Sequence, residues 1–183
     1  KLQDKTGGIG SLTEGQKAID KSFSKEYGDF VLKGGFADVN KGLSQLDEAI
    51  NILETDGGTG ALIGNLPDSL SAIFNKSGLK AQELVSEVVQ RNLRLILGAQ
   101  FTEKEGERLI NRAFNPRLSE EENIKRVKRL AKSIQNAANQ KRKASEYFEK
   151  FGTLKGFKGT ATIDSISEDA GLTSNNVKYK VIP

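Results

Sequence analysis

Cysteine, histidine, methionine and tryptophan are all absent from this chain of 183 residues. Without cysteine the chain forms no disulfide, offers no thiolate nucleophile and builds no zinc ribbon. Without histidine it lacks the commonest general base and the commonest transition-metal ligand. These absences favour a protein that is not an enzyme and that uses no cofactor, metal or small-molecule ligand.

Long apolar runs are missing as well. None approaches the roughly 20 consecutive apolar residues that cross a bilayer, and charged residues make up 28% of the chain. No stretch has the pattern of a secretory signal peptide. Because the sequence begins with Lys1 rather than methionine, we interpret it as a segment of a longer polypeptide.

Apolar residues recur at helical spacing over most of the chain, which predicts an all-α fold of elongated helical hairpins or a bundle. The first helix is expected to follow the capping box Ser11-Leu12-Thr13-Glu14 and to end at Gly34-Gly35. Its apolar stripe consists of Ala18, Ile19, Phe23, Tyr27, Phe30 and Val31.

The second helix has the clearest pattern. Its apolar residues step by three and four, the spacing of a helix packed along a neighbour: Phe36, Val39, Leu43, Leu46, Ile50 and Leu53. The short Gly-Gly connection predicts that this stripe packs against the first helix as an αα-hairpin.

Three further long helices are expected. A strongly apolar, central helix begins at Ser77, after a short helix that Pro67 starts. Thr102-x-x-Glu105 and Ser119-x-x-Glu122 are capping boxes that start the next two. The last of these, predicted to be the longest, ends at Gly152.

The chain therefore divides into a lead-in segment (1–10), a helical domain (11–152) and an extended, partly β-like C-terminal arm (153–183). The arm is rich in Gly, Ser, Thr and Asn and contains a β-type alternation near its end. Four apolar residues of that alternation are candidate inter-subunit contacts, because an isolated strand needs a partner edge: Val177, Tyr179, Val181 and Ile182.

Positive charge is concentrated on the last helix (120–151). Ten basic and five acidic residues between Arg117 and Phe151 give a net charge of +5, whereas the whole chain carries +4. Lysines three and four residues apart without acidic partners repel one another, so contact with a nucleic-acid backbone is an alternative to a simple solvated face. The candidate contacts are Lys125, Arg126, Lys128, Arg129, Lys132, Lys141, Arg142 and Lys143.

Two other motifs carry weaker functional hypotheses. Gly57-Gly58-Thr59-Gly60 lacks the Gly-Lys-Ser/Thr ending of a P-loop and is interpreted as a connector. Glu103 and Glu107 lie one helical turn apart, yet solvated positions near a helix start explain them without catalysis. An enzymatic function would require residues outside this segment.

Three stretches resemble a family of tailed-bacteriophage virion proteins that includes uncharacterised proteins and DNA ejection (transfer) proteins. They are Ala18–Asp47, Val89–Ala131 and Tyr147–Thr160. The most distinctive parts are the run Gly98–Arg108 and the break at Asn115-Pro116. The resemblance implies a virion component near the portal or tail. Our leading hypothesis is therefore a structural virion protein that assembles in multiple copies. Three kinds of partner are expected: other copies of the chain, other virion proteins (portal, tail or ejection proteins), and phage DNA through the basic helix.

Overall fold

A computed structural model describes residues 11–56, 59, 76–93 and 102–159 of the chain. These ranges contain α1 (Glu14–Leu32), α2 (Gly35–Thr55), α3 (Lys76–Val88), α4 (Glu103–Ala113) and α5 (Glu120–Phe151), and a π-helical turn, Val89–Leu93, continues α3. No strand occurs within the described ranges, which confirms the all-α prediction for that part. The lead-in segment, the short helix after Pro67 and the β-like residues of the arm lie outside it.

Hydroxyl side chains cap three of the helices. Thr102 and Ser119 cap α4 and α5 as predicted, each accepting a bond of 3.3 Å from the backbone N–H three residues later. The predicted capping box is complete at Thr102, whereas the Glu122 side chain binds Arg126 instead of the Ser119 N–H. The predicted cap of α1 is corrected from Ser11 to Thr13. Thr13 accepts a bond from the Gln16 backbone N–H, and the Gln16 side chain accepts one from the Thr13 N–H at 2.9 Å. Glutamine closes a capping box as glutamate does, so the Ser-x-x-Glu pattern two residues earlier was misleading.

The hydrophobic core lies where α2, α3 and α5 meet. Leu46 of α2, Val85 of α3 and Ile134 of α5 are completely buried. The predicted burial of the α2 stripe is confirmed for Leu46 and Ile50, whereas Leu43 is half-buried. Each fully buried aliphatic side chain contributes about 1.5–3 kcal/mol, so this three-helix contact dominates the hydrophobic stabilisation of the described chain.

The expected hairpin between α1 and α2 is wrong in its main contact, because α2 packs chiefly against α3 and α5. α1 reaches the core through aromatic rings. Phe30 is buried and meets Phe36 edge-on at 4.9 Å between centroids, and Phe23 lies 5.3 Å from the ring of Phe148. These rings attach one side of α1 to the core. α1 has no stripe of buried aliphatic residues like the one on α2.

Other members of the predicted α1 stripe lie in solvent. Ile19 and Val31 are 57% and 53% exposed, and Ala18 is exposed as well. Leu32, at the end of the helix, is 86% exposed. Among the described residues, α1 thus buries Phe30 and Asp20 and leaves these aliphatic side chains exposed.

Polar side chains tie the π turn to α2. Arg91 donates two hydrogen bonds to the nearly buried carboxylate of Asp38, at 2.8 and 2.5 Å. The next residue, Asn92, is 1% exposed and lies so close to Gly42 that a Cβ there would overlap its amide. A π turn redirects side chains relative to an α-helix, which allows these consecutive residues both to face α2.

The chain folds back on itself after α5. Gly152 ends the helix as predicted, in the left-handed conformation (φ 68°) that favours glycine. The Leu154 N–H then donates to Asp20 Oδ1 at 2.8 Å, and Tyr147 donates its hydroxyl proton to the Lys155 carbonyl at 2.7 Å. Residues 153–159, the beginning of the predicted arm, are thus bound to their own helices.

Candidate functional site

The structure divides the eight candidate basic residues of α5 into two groups. Five exposed side chains share one side of the helix, since their spacing returns them to similar angles at 3.6 residues per turn. We call this group the basic face: Lys125, Lys128, Arg129, Lys132 and Lys143. The second group, which we call the inner group, contacts other parts of the chain and consists of the half-buried Arg126 and Lys141 and the exposed Arg142.

Ion pairs neutralise much of the charge at the start of α5. Lys125 Nζ lies 2.7 Å from Glu121, and Lys128 Nζ lies 3.3 Å from Glu54 on α2. Glu122 accepts from Arg126 at 2.9 Å and lies 3.7 Å from Arg129. The expectation that these cations lack acidic partners is therefore wrong for four of the eight.

The pKa values of these groups follow from the same pairs. The hydrogen bond from Lys125 lowers the pKa of Glu121, and it raises the pKa of Lys125 itself. The hydrogen bond from Arg126 likewise lowers the pKa of Glu122. Exposed pairs of this kind contribute little to stability. Their main consequence is that less positive charge is available to a ligand.

Lys132 and Lys143 differ from their neighbours on the basic face. Neither makes an ion pair or hydrogen bond with the residues that the structure describes, and both are exposed. They are eleven residues apart, which is about three turns of helix, or roughly 16 Å. The unneutralised charge of the basic face is thus centred on these two lysines.

Lys141 and Arg142 lie over aromatic rings from other helices. The Lys141 ammonium is 5.0 Å from the centre of the Phe30 ring, and the Arg142 guanidinium is 4.7 Å from that of Phe36. Burial lowers the pKa of Lys141, and the charge of Glu26 acts in the opposite direction. These two cations join α5 to the α1–α2 turn, and Lys141 is half-buried there whereas Arg142 remains exposed.

A small concave site lies between α4 and α5. Its floor is apolar and buried and consists of Leu109, Ala113 and Leu130. Three arginines form its rim, and its volume is about 30 Å³. We call this the arginine pocket, with the rim Arg112, Arg126 and Arg129.

A buried asparagine sets the geometry of the arginine pocket. The Asn123 side chain accepts from the Asn115 backbone N–H and donates to the Asn115 carbonyl, both at 2.9 Å. This pair fixes the bend between α4 and α5. Arg126 then donates to the Arg112 carbonyl at the end of α4, at 3.2 Å. Sequence reasoning missed the pocket because Arg112 lies on a different helix from the other two arginines.

The remaining candidates have simpler explanations or lie outside the described ranges. Glu105 closes the capping box of α4, and Glu103 and Glu107 are exposed. Thr59 is buried, and its N–H donates to Glu120 at 2.9 Å, but the other residues of the Gly57–Gly60 connector are not described. The arm contacts Val177, Tyr179, Val181 and Ile182 are also not described. Within the described ranges, no acidic cluster has the composition of a metal site.

Comparisons with known proteins add no relative. A scan against protein-family models found no matching family, and searches of curated proteins and of solved structures found no significant match. Among the described residues, every helix is too short or too polar to cross a membrane.

Proposed function

We propose that this chain is a non-enzymatic structural component of a tailed-phage virion, located near the portal or tail and assembled in multiple copies. A role in DNA ejection would be consistent with that position. The proposal rests on the resemblance described above and on one structural observation, the apolar residues that α1 leaves in solvent.

The end of α1 offers a surface that a second copy or another virion protein would cover. Val31 and Leu32 are adjacent, 53% and 86% exposed, and directly precede the turn into α2. Ile19 is exposed on the same helix. Burying such side chains at an interface would contribute up to about 1.5–3 kcal/mol each, whereas a helix that serves only its own chain would favour polar residues there.

Sedimentation velocity over a range of protein concentrations tests assembly through α1. We expect the parent chain to form larger species as concentration rises, and Val31→Ser/Leu32→Ser to remain smaller at the same concentrations. Leu79→Ser is the matched control, since Leu79 is an exposed leucine (45%) on α3. A parent chain that stays monomeric, or a control that weakens assembly equally, would contradict the proposal. Circular dichroism verifies that each variant is folded.

The alternative function is a nucleic-acid-binding accessory module that uses the basic helix 120–151. The observation in its favour is the exposed, unneutralised charge of Lys132 and Lys143. We expect Lys132→Gln/Lys143→Gln to weaken duplex DNA binding and to reduce the salt slope by about 0.9 per lost phosphate contact. Lys21→Gln/Lys25→Gln on α1 makes the same change in net charge and is the control. Fluorescence anisotropy in a salt series measures both, and no binding by the parent at low salt would exclude this function.

A further inference from the structure

The rim of the arginine pocket carries hydrogen-bond donors that the described chain does not use. Each guanidinium has five N–H donors in a planar fork. Arg112 is exposed and makes no hydrogen bond or ion pair with the residues that the structure describes. Arg126 donates from Nε to Glu122 at 2.9 Å and from Nη1 to the Arg112 carbonyl at 3.2 Å, and its Nη2 makes no further hydrogen bond within those ranges. The rim therefore offers donors from both α4 and α5 to a ligand.

Glu122 holds two of the three arginines in place. Its Oε1 bonds Arg126 and lies 3.7 Å from Arg129. The Arg112 carbonyl holds Arg126 from the other side, and the Arg126 side chain is only 30% exposed. Side chains that are ordered before a ligand binds lose less entropy on binding. Within the described ranges, three positive charges and the one negative charge of Glu122 leave this rim with a net charge of +2.

Further cations continue from the pocket along α5. Lys132 lies three residues beyond Arg129, which is about 4.5 Å along the helix, and Lys143 follows roughly 16 Å later on the same side. No acidic residue occurs in the sequence between Glu122 and Glu146. A ligand that complements this surface repeats its negative charge along its length. A nucleic-acid strand does so, with one phosphate for about every 3.4 Å of duplex axis.

We propose that the arginine pocket binds one phosphate group of a nucleic-acid backbone and that Arg112 contacts this phosphate directly. Arg112 and Arg126 donate to it from α4 and α5, while Lys132 meets a following phosphate of the same strand. The buried apolar floor keeps water from one side of the pocket, which strengthens the attraction between opposite charges at its rim. The inference rests on the alternative function proposed above, and it extends the interface from the basic helix to α4.

Fluorescence anisotropy with a labelled DNA duplex tests the role of Arg112. Arg112→Gln removes the charge but keeps the carbonyl that holds Arg126. Arg108→Gln is the matched control, because Arg108 is an exposed arginine one turn earlier on α4 that does not line the pocket. We expect Arg112→Gln to weaken binding about tenfold, as the loss of a hydrogen bond to a charged group, and to reduce the salt slope by about 0.9. Arg108→Gln should leave both nearly unchanged, and circular dichroism verifies that both variants are folded.

The outcomes separate this inference from the function on which it rests. If the parent binds duplex DNA and the two arginine variants weaken binding equally, long-range charge explains the effect and the phosphate site is overturned, whereas the alternative function stands. If the parent does not bind duplex DNA at low salt, the alternative function fails and the inference fails with it.

Inorganic phosphate distinguishes a backbone phosphate from a free ion of the same chemistry. In NMR spectra of the arginine Nε–Hε groups, phosphate added at constant ionic strength should shift the signals of Arg112, Arg126 and Arg129 and leave that of Arg108 in place. Duplex DNA should then displace the phosphate. A pocket that binds phosphate but not duplex takes a free ion, which would overturn the backbone assignment. Binding of polyglutamate with the same dependence on Arg112 would also overturn it, because the pocket would then recognise carboxylates.

Discussion

The contact between Gly42 and Asn92 predicts that Gly42→Ala destabilises the parent chain but stabilises a chain that already carries Asn92→Ala. Alanine at position 42 adds a Cβ that would overlap the Asn92 amide. Because Asn92 is 1% exposed, its side chain has little room to turn away. Overpacking of this kind costs about 1–3 kcal/mol, while alanine in place of glycine inside a helix gains about 0.5–1 kcal/mol. We therefore expect Gly42→Ala to lower the free energy of unfolding by about 0.5–2 kcal/mol.

Removing the Asn92 amide should reverse this result. Asn92 Nδ2 is buried and finds no hydrogen-bond partner among the described residues, so Asn92→Ala also removes an unpaired donor. In that background the added Cβ fills the vacated space, and Gly42→Ala should raise stability by about 0.5–1 kcal/mol through helix propensity alone. The two residues would then show a coupling energy of about 1–3 kcal/mol.

Urea unfolding followed by circular dichroism at 222 nm measures all four members of this double-mutant cycle. Gly28→Ala is the matched control, because Gly28 lies inside α1 with no atom within 4 Å of an added Cβ. It should stabilise the chain by about 0.5–1 kcal/mol. If Gly42→Ala were as stabilising as Gly28→Ala in the parent chain, the close approach of α2 to the π turn would be refuted.

Further predictions concern the core, the α4–α5 bend and the inner lysine. Leu46→Ala should cost about 2–5 kcal/mol in urea unfolding, as a completely buried leucine; a midpoint equal to the parent's would show that α2 does not pack as described. Asn123→Ala should cost about 1–3 kcal/mol, because it leaves the Asn115 backbone N–H unpaired, whereas the Asn115 carbonyl still accepts from the Leu118 N–H; an unchanged unfolding curve would contradict that bend. Lys141→Met should stabilise the chain at neutral pH, and its advantage should shrink as pH rises towards 10.5. Because the pKa of Lys141 is lower in the folded chain, the unfolded parent binds more protons in that range, and the stability of the parent rises with pH. A stability difference between variant and parent that did not change with pH would contradict this account.

The ends of the helices could be predicted from sequence because they depend on neighbouring residues. Thr102 and Ser119 begin α4 and α5, and Gly152 ends α5, through bonds that span only a few positions. The error at Ser11 has the same local origin, since the actual cap at Thr13 uses a glutamine. The α2 stripe was also predictable, because spacing alone determines which residues share a face.

The partner of that stripe could not be predicted in the same way. A face of Leu46 and Ile50 is equally compatible with α1, α3 or α5, and the short turn at Gly34-Gly35 favoured the nearest helix in sequence. The choice depends on which helix offers complementary aliphatic surface, and α3 and α5 do so. The π turn after Val88 could not be predicted either, because it is stabilised by contacts with Asp38 and Gly42 of α2, a helix that is distant in sequence.

The function of the basic helix was also difficult to predict, because it depends on contacts between residues that are distant in sequence. Nine cations on one helix suggested a single binding surface, but the role of each depends on the residues that the fold places beside it. Glu54 approaches Lys128 from α2, and Phe30 and Phe36 come to lie under Lys141 and Arg142. After these contacts, the free charge of the basic face is that of Lys132 and Lys143. A polyanion that binds this chain would therefore meet two lysines roughly 16 Å apart, with the arginine pocket beyond Lys132, rather than a continuous positive helix. The arrangement favours a ligand with separated charges, such as a duplex backbone or an acidic segment in extended form, over a single compact anion.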